Sequence, residues 1–221
     1  MKDFIPPNGL DQNIQSFIAF FMLVFFLPLF IIIACLIKLT SSGPVFFKQK
    51  RVGKNGKIFI IYKFRTMKVN NIGSKITASD DSRITKIGSY LRILKLDELP
   101  QLWNIFNKTM SFVGPRPEVE QYVDFKLPIW HKILSVRPGL TDPIMIQFRN
   151  EETLLDQVKG NREFFYKEYL LPYKLKGQLN YLKKRSWISD IKIIFITIFL
   201  TLIPSLSNSP TIEKIMKSKL K

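Results

Sequence analysis

The chain has 221 residues, with 34 Lys and Arg against 17 Asp and Glu, and a formal charge of +17. That length suits one globular domain with a real core plus an accessory segment, and 46% hydrophobic and 13% aromatic content argues against disorder. The charge suits an anionic partner, whether nucleic acid, an anionic membrane surface or a phosphorylated substrate, while the single cysteine, Cys35, leaves no intrachain disulfide and no thiolate zinc site.

The first predicted element is apolar. From Phe17 to Ile37 no residue is charged, about 21 positions, and a span needs roughly 20. The run is too long for the core of a cleaved signal peptide, and no small-x-small site follows it. Pro28 stands near its middle, removes one backbone donor and predicts a kink. A kinked helix can cross a bilayer. A strongly bent one can enter and return through one leaflet if its freed backbone groups find partners, and sequence physics does not choose between the two. Lys38, Lys48, Lys50, Arg51, Lys54, Lys57, Lys63, Arg65 and Lys68 follow the run, with no acid between Asp11 and Asp80. The positive-inside rule therefore puts the bulk of the chain in the cytoplasm, with this cluster against anionic head groups.

Next come two strands, Val45–Lys48 and Lys57–Phe64, joined by the turn chemistry of "GKNG". Residues 69–82 are polar and aperiodic and read as a loop. In "SRITKIGSYLRILKL", Ile84, Ile87, Leu91 and Leu94 recur at helical spacing. In "KLDELPQLWNIF", Leu99, Leu102, Trp103 and Phe106 make one apolar face. Pro100 is tolerated only in a first turn, so the helix should begin at about Asp97–Leu99. Asp97 and Glu98 then sit at its start, where the macrodipole favours negative charge, and spacing alone favours that structural role for them.

Farther on, "MSFVGPRPEVE" and "VRPGLTDP" put Arg116 and Arg137 on turns stiffened by proline. A stiff arginine suits phosphate, which its planar fork binds bidentately. His131, the only histidine, stands in "PIWHKIL" with no G-x-S-x-G elsewhere, and is expected to be a partly buried ring near Trp130. Residues 151–185 read as amphipathic helix interrupted near Pro172. The uncharged run from Ile193 to Ile203, about eleven residues, is too short to span and is expected to lie on a bilayer or pack in the core. Residues 205–221 read as a frayed basic tail. The expected organisation is a membrane anchor at 1–40, a catalytic domain at 41–204 and the tail at 205–221.

Together these blocks resemble the bacterial sugar transferases, the monotopic phosphoglycosyl transferases that start lipid-linked glycan assembly. The likeness runs in order through the apolar segment with its proline, "GPVFFKQKRVGKNGKIFIIYKFRTM", "RITKIGSYLR", "LDELPQLWNIF", "MSFVGPRP", "RPGLT" and "SDIKIIFITI". The resemblance implies a single cytoplasmic α/β (α+β) catalytic domain at the inner membrane of a bacterium. It also implies a re-entrant helix broken at Pro28 and short amphipathic interfacial helices. The implied reaction moves a sugar phosphate from a nucleoside diphosphate sugar, usually a UDP-sugar, to a polyprenol phosphate such as undecaprenyl phosphate. It releases UMP and uses Mg²⁺.

Residue by residue, Asp97 matches the family nucleophile and Glu98 the magnesium-associated acid, so the resemblance makes the pair both cap and catalyst. Arg92, Arg116, Arg137 and Arg149, with Lys63 and Arg65, are the expected phosphate and substrate contacts. Several positions depart from the family pattern. Leu27 replaces a serine before the anchor proline. "NIQSF" replaces a basic residue and an acid before the apolar run. "DPIMIQFRN", with Asp142, Pro143 and Met145, replaces a Gly-Trp-Gln stretch. The sugar and the pathway are not legible. A membrane-tethered nucleic-acid binder and a silent scaffold of the same fold stay open as alternatives. No helix-turn-helix, zinc or RNP-like signature supports the first, and the intact acid pair and arginines speak against the second.

Overall fold

The computed structural model describes Phe4 and residues 6–69, 81–203, 206 and 209–219. The molecule mixes many helices with two small sheets, in keeping with the expected α/β class. The chain begins with α1 (Gln12–Phe25) and α2 (Leu27–Thr40), which meet at Phe26 with a bend of 59°. No single helix among the described residues is long and apolar enough to cross a membrane, although this bent pair passes that test jointly. Pro28 lies in the first turn of α2, where an N–H is not needed. The chain keeps its hydrogen bonds through the bend, from Phe26 N to Met22 O (2.9 Å) and from Phe30 N to Phe26 O (2.9 Å), so the bend is supported without the serine that Leu27 replaces.

The "NIQSF" stretch docks α1 on the globular body. Gln15 is buried, accepts from Phe112 N at 2.7 Å and donates to Leu10 O at 2.8 Å. Ser16 Oγ donates to Phe106 O at 2.6 Å, and Gln12 Nε2 to Met110 O at 3.0 Å. The other end is held too. Arg65 is buried and donates to Ser41 O at 2.8 Å, to Ser41 Oγ at 2.9 Å and to Ser42 O. Both ends of the bent pair are thus tied to one body.

Strands β1 (Phe46–Val52) and β2 (Ile58–Phe64) pair antiparallel, from Phe46 opposite Phe64 to Val52 opposite Ile58. The first strand extends four residues beyond the sequence reading. Between them a single 3₁₀ turn, Lys54–Gly56, holds Asn55 in the left-handed region at φ 56°. Helix α3 (Lys86–Ile93) is capped by Thr85, whose hydroxyl accepts from Gly88 N at 2.9 Å. The loop read at 69–82 lies, from 70 to 80, outside the described residues.

The helix expected at Asp97–Leu99 is different in kind. Leu96–Gln101, with Pro100 inside, winds as a 3₁₀ segment, and the α-helix proper, α4 (Leu102–Phe106), begins after it. Pro100 has no N–H to give to the turn before it, and the segment closes with three-residue bonds such as Glu98 N to Lys95 O (3.3 Å). Its buried face is Leu102, Asn104 and Ile105 rather than the predicted stripe, and Trp103 is half exposed. Asn104 clips the segment to β2 by donating to Ile60 O (2.7 Å) and accepting from Tyr62 N (3.2 Å).

Strand β3 (Ser111–Val113) is followed by α5 (Pro128–Ile133), then β4 (Gly139–Thr141), which pairs parallel with β3. On α5 Trp130 is buried, but His131 is exposed, because neighbouring helical residues point to different sides. Helices α6 (Pro143–Gln147) and α7 (Glu151–Asp156) lead to a break at 157–161. From there α8 (Arg162–Phe165), one π turn (Tyr166–Leu170) and α9 (Leu171–Lys183) run on continuously. Pro172 therefore does not interrupt the helix, because the wide turn before it absorbs the missing donor. The core gathers Leu102, Ile105, Met110, Val113, Leu170 and Leu182. Helix α10 (Trp187–Leu202) buries Asp190 and Ile193, yet exposes Trp187, Phe195, Phe199 and Leu202. The tail expected to fray carries α11 (Ile212–Lys219), whose Ile215 is fully buried.

Candidate active site

A cleft of about 1470 Å³ opens beside the acid pair. Helix α3 ends with Lys95 in the left-handed region at φ 55°. That residue turns the chain into the 3₁₀ segment, as a C-terminal helix residue of this conformation does. Asp97 and Glu98 follow at once, 7% and 9% exposed.

The two carboxylates sit in different environments. Glu98 Oε1 accepts from Lys63 Nζ at 2.6 Å and from Arg116 Nη2 at 3.2 Å. Burial alone would raise its carboxyl, but Lys63 and then Arg116 hold it well below the usual carboxylate range. Asp97 Oδ1 is buried with no hydrogen-bond partner. Burial pushes the Asp97 carboxyl up, against Lys63 and with the help of the Glu98 charge. Burial lowers Lys63, with Glu98 opposing. Arg116 is raised because Glu98 outweighs its burial. One carboxylate is thus neutralised by two cations, while its neighbour keeps a lone oxygen free of donors.

The expected basic residues separate into groups. Lys63, from β2, and Arg116, from the Gly114–Pro117 turn, reach Glu98 directly. Arg92, on α3, ion-pairs with Glu152 and donates to Thr66 Oγ1 at 3.3 Å; its charge acts on Asp97. Arg149 lines the same cleft and is held by Thr201 Oγ1 at 3.2 Å and Ile93 O at 3.0 Å. Arg65 also lines it, although its polar contacts go to the end of α2. Arg137 donates to Lys108 O at 2.7 Å and does not line the cleft.

Sequence reasoning passed over a second set. Tyr166 Oη donates to Glu118 Oε1 at 2.7 Å, and Glu118 Oε2 lies 3.8 Å from Arg51. Lys174 is buried, 3.0 Å from Glu151 and 5.1 Å above the Tyr166 ring. All of these line the cleft. The adjacent Glu151–Glu152 pair carried the same signal as Asp97–Glu98, an acid doublet in a basic chain.

Lys63→Met tests the electrostatics. Removing the cation that lowers both carboxyls must raise both. If Asp97 works ionised, the acid limb of the rate profile moves to higher pH, with a loss at neutral pH of about 10²-fold. An unmoved limb would show that Lys63 does not set the charge state of the pair.

A family model described as bacterial sugar transferase matches residues 9–203. The chain is 37% identical over 207 residues to a UDP-glucose:undecaprenyl-phosphate glucose-1-phosphate transferase of Escherichia coli K12, covering 88% of this chain and 41% of that protein. It is 44% identical over 121 residues to a UDP-N-acetylgalactosamine-undecaprenyl-phosphate N-acetylgalactosaminephosphotransferase of Aeromonas hydrophila, covering 52% of this chain and 29% of the other. Similarity to the exopolysaccharide production protein ExoY of Sinorhizobium fredii is 33% over 213 residues, covering 87% and 86%. The chain thus spans about two fifths of the length of the Escherichia coli protein, but most of ExoY.

Proposed function

This chain belongs to the bacterial sugar transferase family, and on that premise we propose that it moves a sugar phosphate from a UDP-sugar to undecaprenyl phosphate. The products are undecaprenyl diphosphate sugar and UMP, an opening step in building a capsule, exopolysaccharide or related glycan. The observation that carries the proposal is the buried Asp97–Glu98 pair, with its donor-free Asp97 oxygen, on a cleft ringed by cations.

In this mechanism an oxygen of ionised Asp97 attacks the phosphorus that bears the sugar. The bond from that phosphorus to the bridging oxygen breaks, and UMP leaves with the electron pair. A phosphosugar-aspartate remains. An oxygen of undecaprenyl phosphate then attacks the same phosphorus and returns Asp97 as a carboxylate. Two steps let two bulky substrates use one site in turn. Burial raises the Asp97 carboxyl while Lys63 opposes it, and the donor-free Oδ1 has no protein hydrogen bond to break before it attacks. Arg116 and Lys63 face the charge gathering on the diphosphate oxygens, with Arg92 and Arg149 farther along the cleft.

Among the described residues no group of three His, Cys, Asp or Glu can hold a metal. Mg²⁺ asks for less: one or two carboxylates, with phosphate oxygens and water. Both cation contacts of Glu98 fall on Oε1, so its second oxygen, beside the donor-free Asp97 oxygen, fits that habit. Mg²⁺, when bound, would screen the diphosphate charge; Glu98 is the residue proposed to hold it.

The apolar side of the cleft suits the lipid acceptor. Ile14, Ile18 and Met22 of α1 and Ile194, Phe195 and Ile198 of α10 line it. With both ends of α1–α2 tied to the globular body, we place the bent pair in the cytoplasmic leaflet as a re-entrant anchor. The domain, with the α10 apolar face and the basic cluster, then lies against the inner membrane. Cysteine labelling tests the topology in a Cys35→Ser background. Asn8→Cys and Lys54→Cys are both expected to resist an impermeant maleimide in intact cells and to react after lysis. Labelling of Asn8→Cys alone in intact cells would make the segment a span.

The activity test is UMP release from a panel of UDP-sugars with Mg²⁺ and undecaprenyl phosphate. Turnover with one donor names the sugar; turnover with none removes the proposal.

A further inference from the structure

The Gly114–Glu118 turn that carries Arg116 is held almost entirely through its backbone. Gly114 N donates to Thr141 O at 3.0 Å, and Pro115 O accepts from Gly139 N at 3.0 Å. Pro117 O accepts from Arg51 at 3.0 Å, and Glu118 O from Val52 N at 2.9 Å. Prolines have no N–H, so Arg116 holds the only backbone donor of the Pro115-Arg116-Pro117 triplet. That donor goes to a side chain, Asp142 Oδ2, at 3.1 Å.

Asp142 is fully buried. Its Oδ2 also accepts from Gln178 Nε2 at 3.0 Å, while Oδ1 caps α6 through Ile144 N at 2.6 Å and Met145 N at 2.7 Å. The Met145 sulfur in turn lies 3.5 Å from Arg116 Nη1. One carboxylate therefore fixes both the backbone under the arginine and the residue beside its guanidinium. Gly177 of α9 lies against Ile144, where a Cβ would meet the end of that side chain, so α9, with Gln178, packs close to α6. Four N–H donors on one buried carboxylate exceed what capping a five-residue helix requires.

We propose that Asp142 is the positioning residue for Arg116, setting its guanidinium against the Asp97–Glu98 pair through the Arg116 backbone. This rests on the proposed role of Arg116 toward the diphosphate. Asp142→Asn isolates the contact. The amide oxygen still caps α6, and Gln178 can rotate to present its carbonyl. The new NH₂ faces the Arg116 N–H, donor against donor.

The test is a cycle of wild type, D142N, R116A and the double variant. Turnover is read with radiolabelled UDP-sugar, and thermal melting is read alongside. In the wild-type background D142N is expected to lower kcat about 10- to 100-fold, the cost of a misplaced group. In the R116A background it should cause no further loss, although any change in melting temperature persists in both. An equal further loss beside R116A would overturn the proposal, leaving Asp142 a structural residue and the role of Arg116 intact. Full turnover in D142N would overturn it as well. Full turnover in R116A would instead remove the assigned role of Arg116, and with it any need to position that residue. If D142N does not fold, D142S carries the same cycle, because its hydroxyl caps α6 but offers no second oxygen to Arg116.

Discussion

Asp97→Asn is expected to abolish UMP release, by about three orders of magnitude or more, and to leave the fold at least as stable as before. The first half follows from the chemistry. An amide of the same shape cannot form and release the phosphosugar-aspartate. The second half follows from the environment. Asp97 Oδ1 has no hydrogen-bond partner to lose. Its carboxyl is pushed up by burial, so the ionised form costs the folded state free energy above the unfolded pKa. Stability therefore falls as pH rises through the Asp97 titration, and the neutral variant escapes that fall. The gain should be present at pH 7 and vanish below the ordinary carboxylate range. Donor-treated wild type should carry one sugar phosphate on the peptide that contains Asp97, and the variant none. Equal turnover in both proteins would return the acid pair to a purely structural role. A variant that is inactive and also much less stable would mean that the loss reports on folding.

Asp190→Ala is expected to be the most damaging single change to stability, at about 3–5 kcal/mol. Asp190 is fully buried and accepts from four groups. Tyr181 Oη approaches Oδ1 at 2.6 Å; Arg185 Nε at 3.2 Å, Arg185 Nη2 at 3.1 Å and Leu10 N at 3.1 Å approach Oδ2. Arg185, itself buried, also donates to Val113 O at 3.1 Å. Alanine would leave a buried guanidinium without a counter-charge, which costs far more than the pair contributes. It would also release Leu10 from the globular body, just before α1. Gly9 shows how tight the junction is, because a Cβ there would collide with both Asp190 and Arg185. In a chain of this length the melting temperature should drop about 10 °C or more. A fall of only a degree or two would show that water or a neighbouring acid satisfies Arg185.

Much of the molecule is readable from local order. Hydropathy marks α1–α2, and Pro28 marks the bend. Alternating β-formers around "GKNG" mark the hairpin, and the Ile84–Leu94 spacing marks α3. Each is a short-range pattern, set by backbone sterics and the period of one element. The acid pair and Arg116 stand out as residue types in context. What those residues touch is set elsewhere. Lys63 lies 35 positions before Glu98 yet binds it at 2.6 Å. Asp142, which reads in the sequence only as a departure, holds the Arg116 backbone from 26 positions away. Tyr166, Lys174 and Glu151 line the cleft from the π turn, α9 and α7, three segments that only the tertiary fold brings together. Even Arg65 and Arg137, alike in the chain, part company, one tied to the end of α2 and the other to Lys108 outside the cleft. The sequence by itself determined α1–α2 with their bend, the hairpin, α3 and the chemical types at the site. The tertiary structure decided which carboxylate is neutralised and which is left without a donor, because burial and charge pairing depend on distances between segments that no local period encodes.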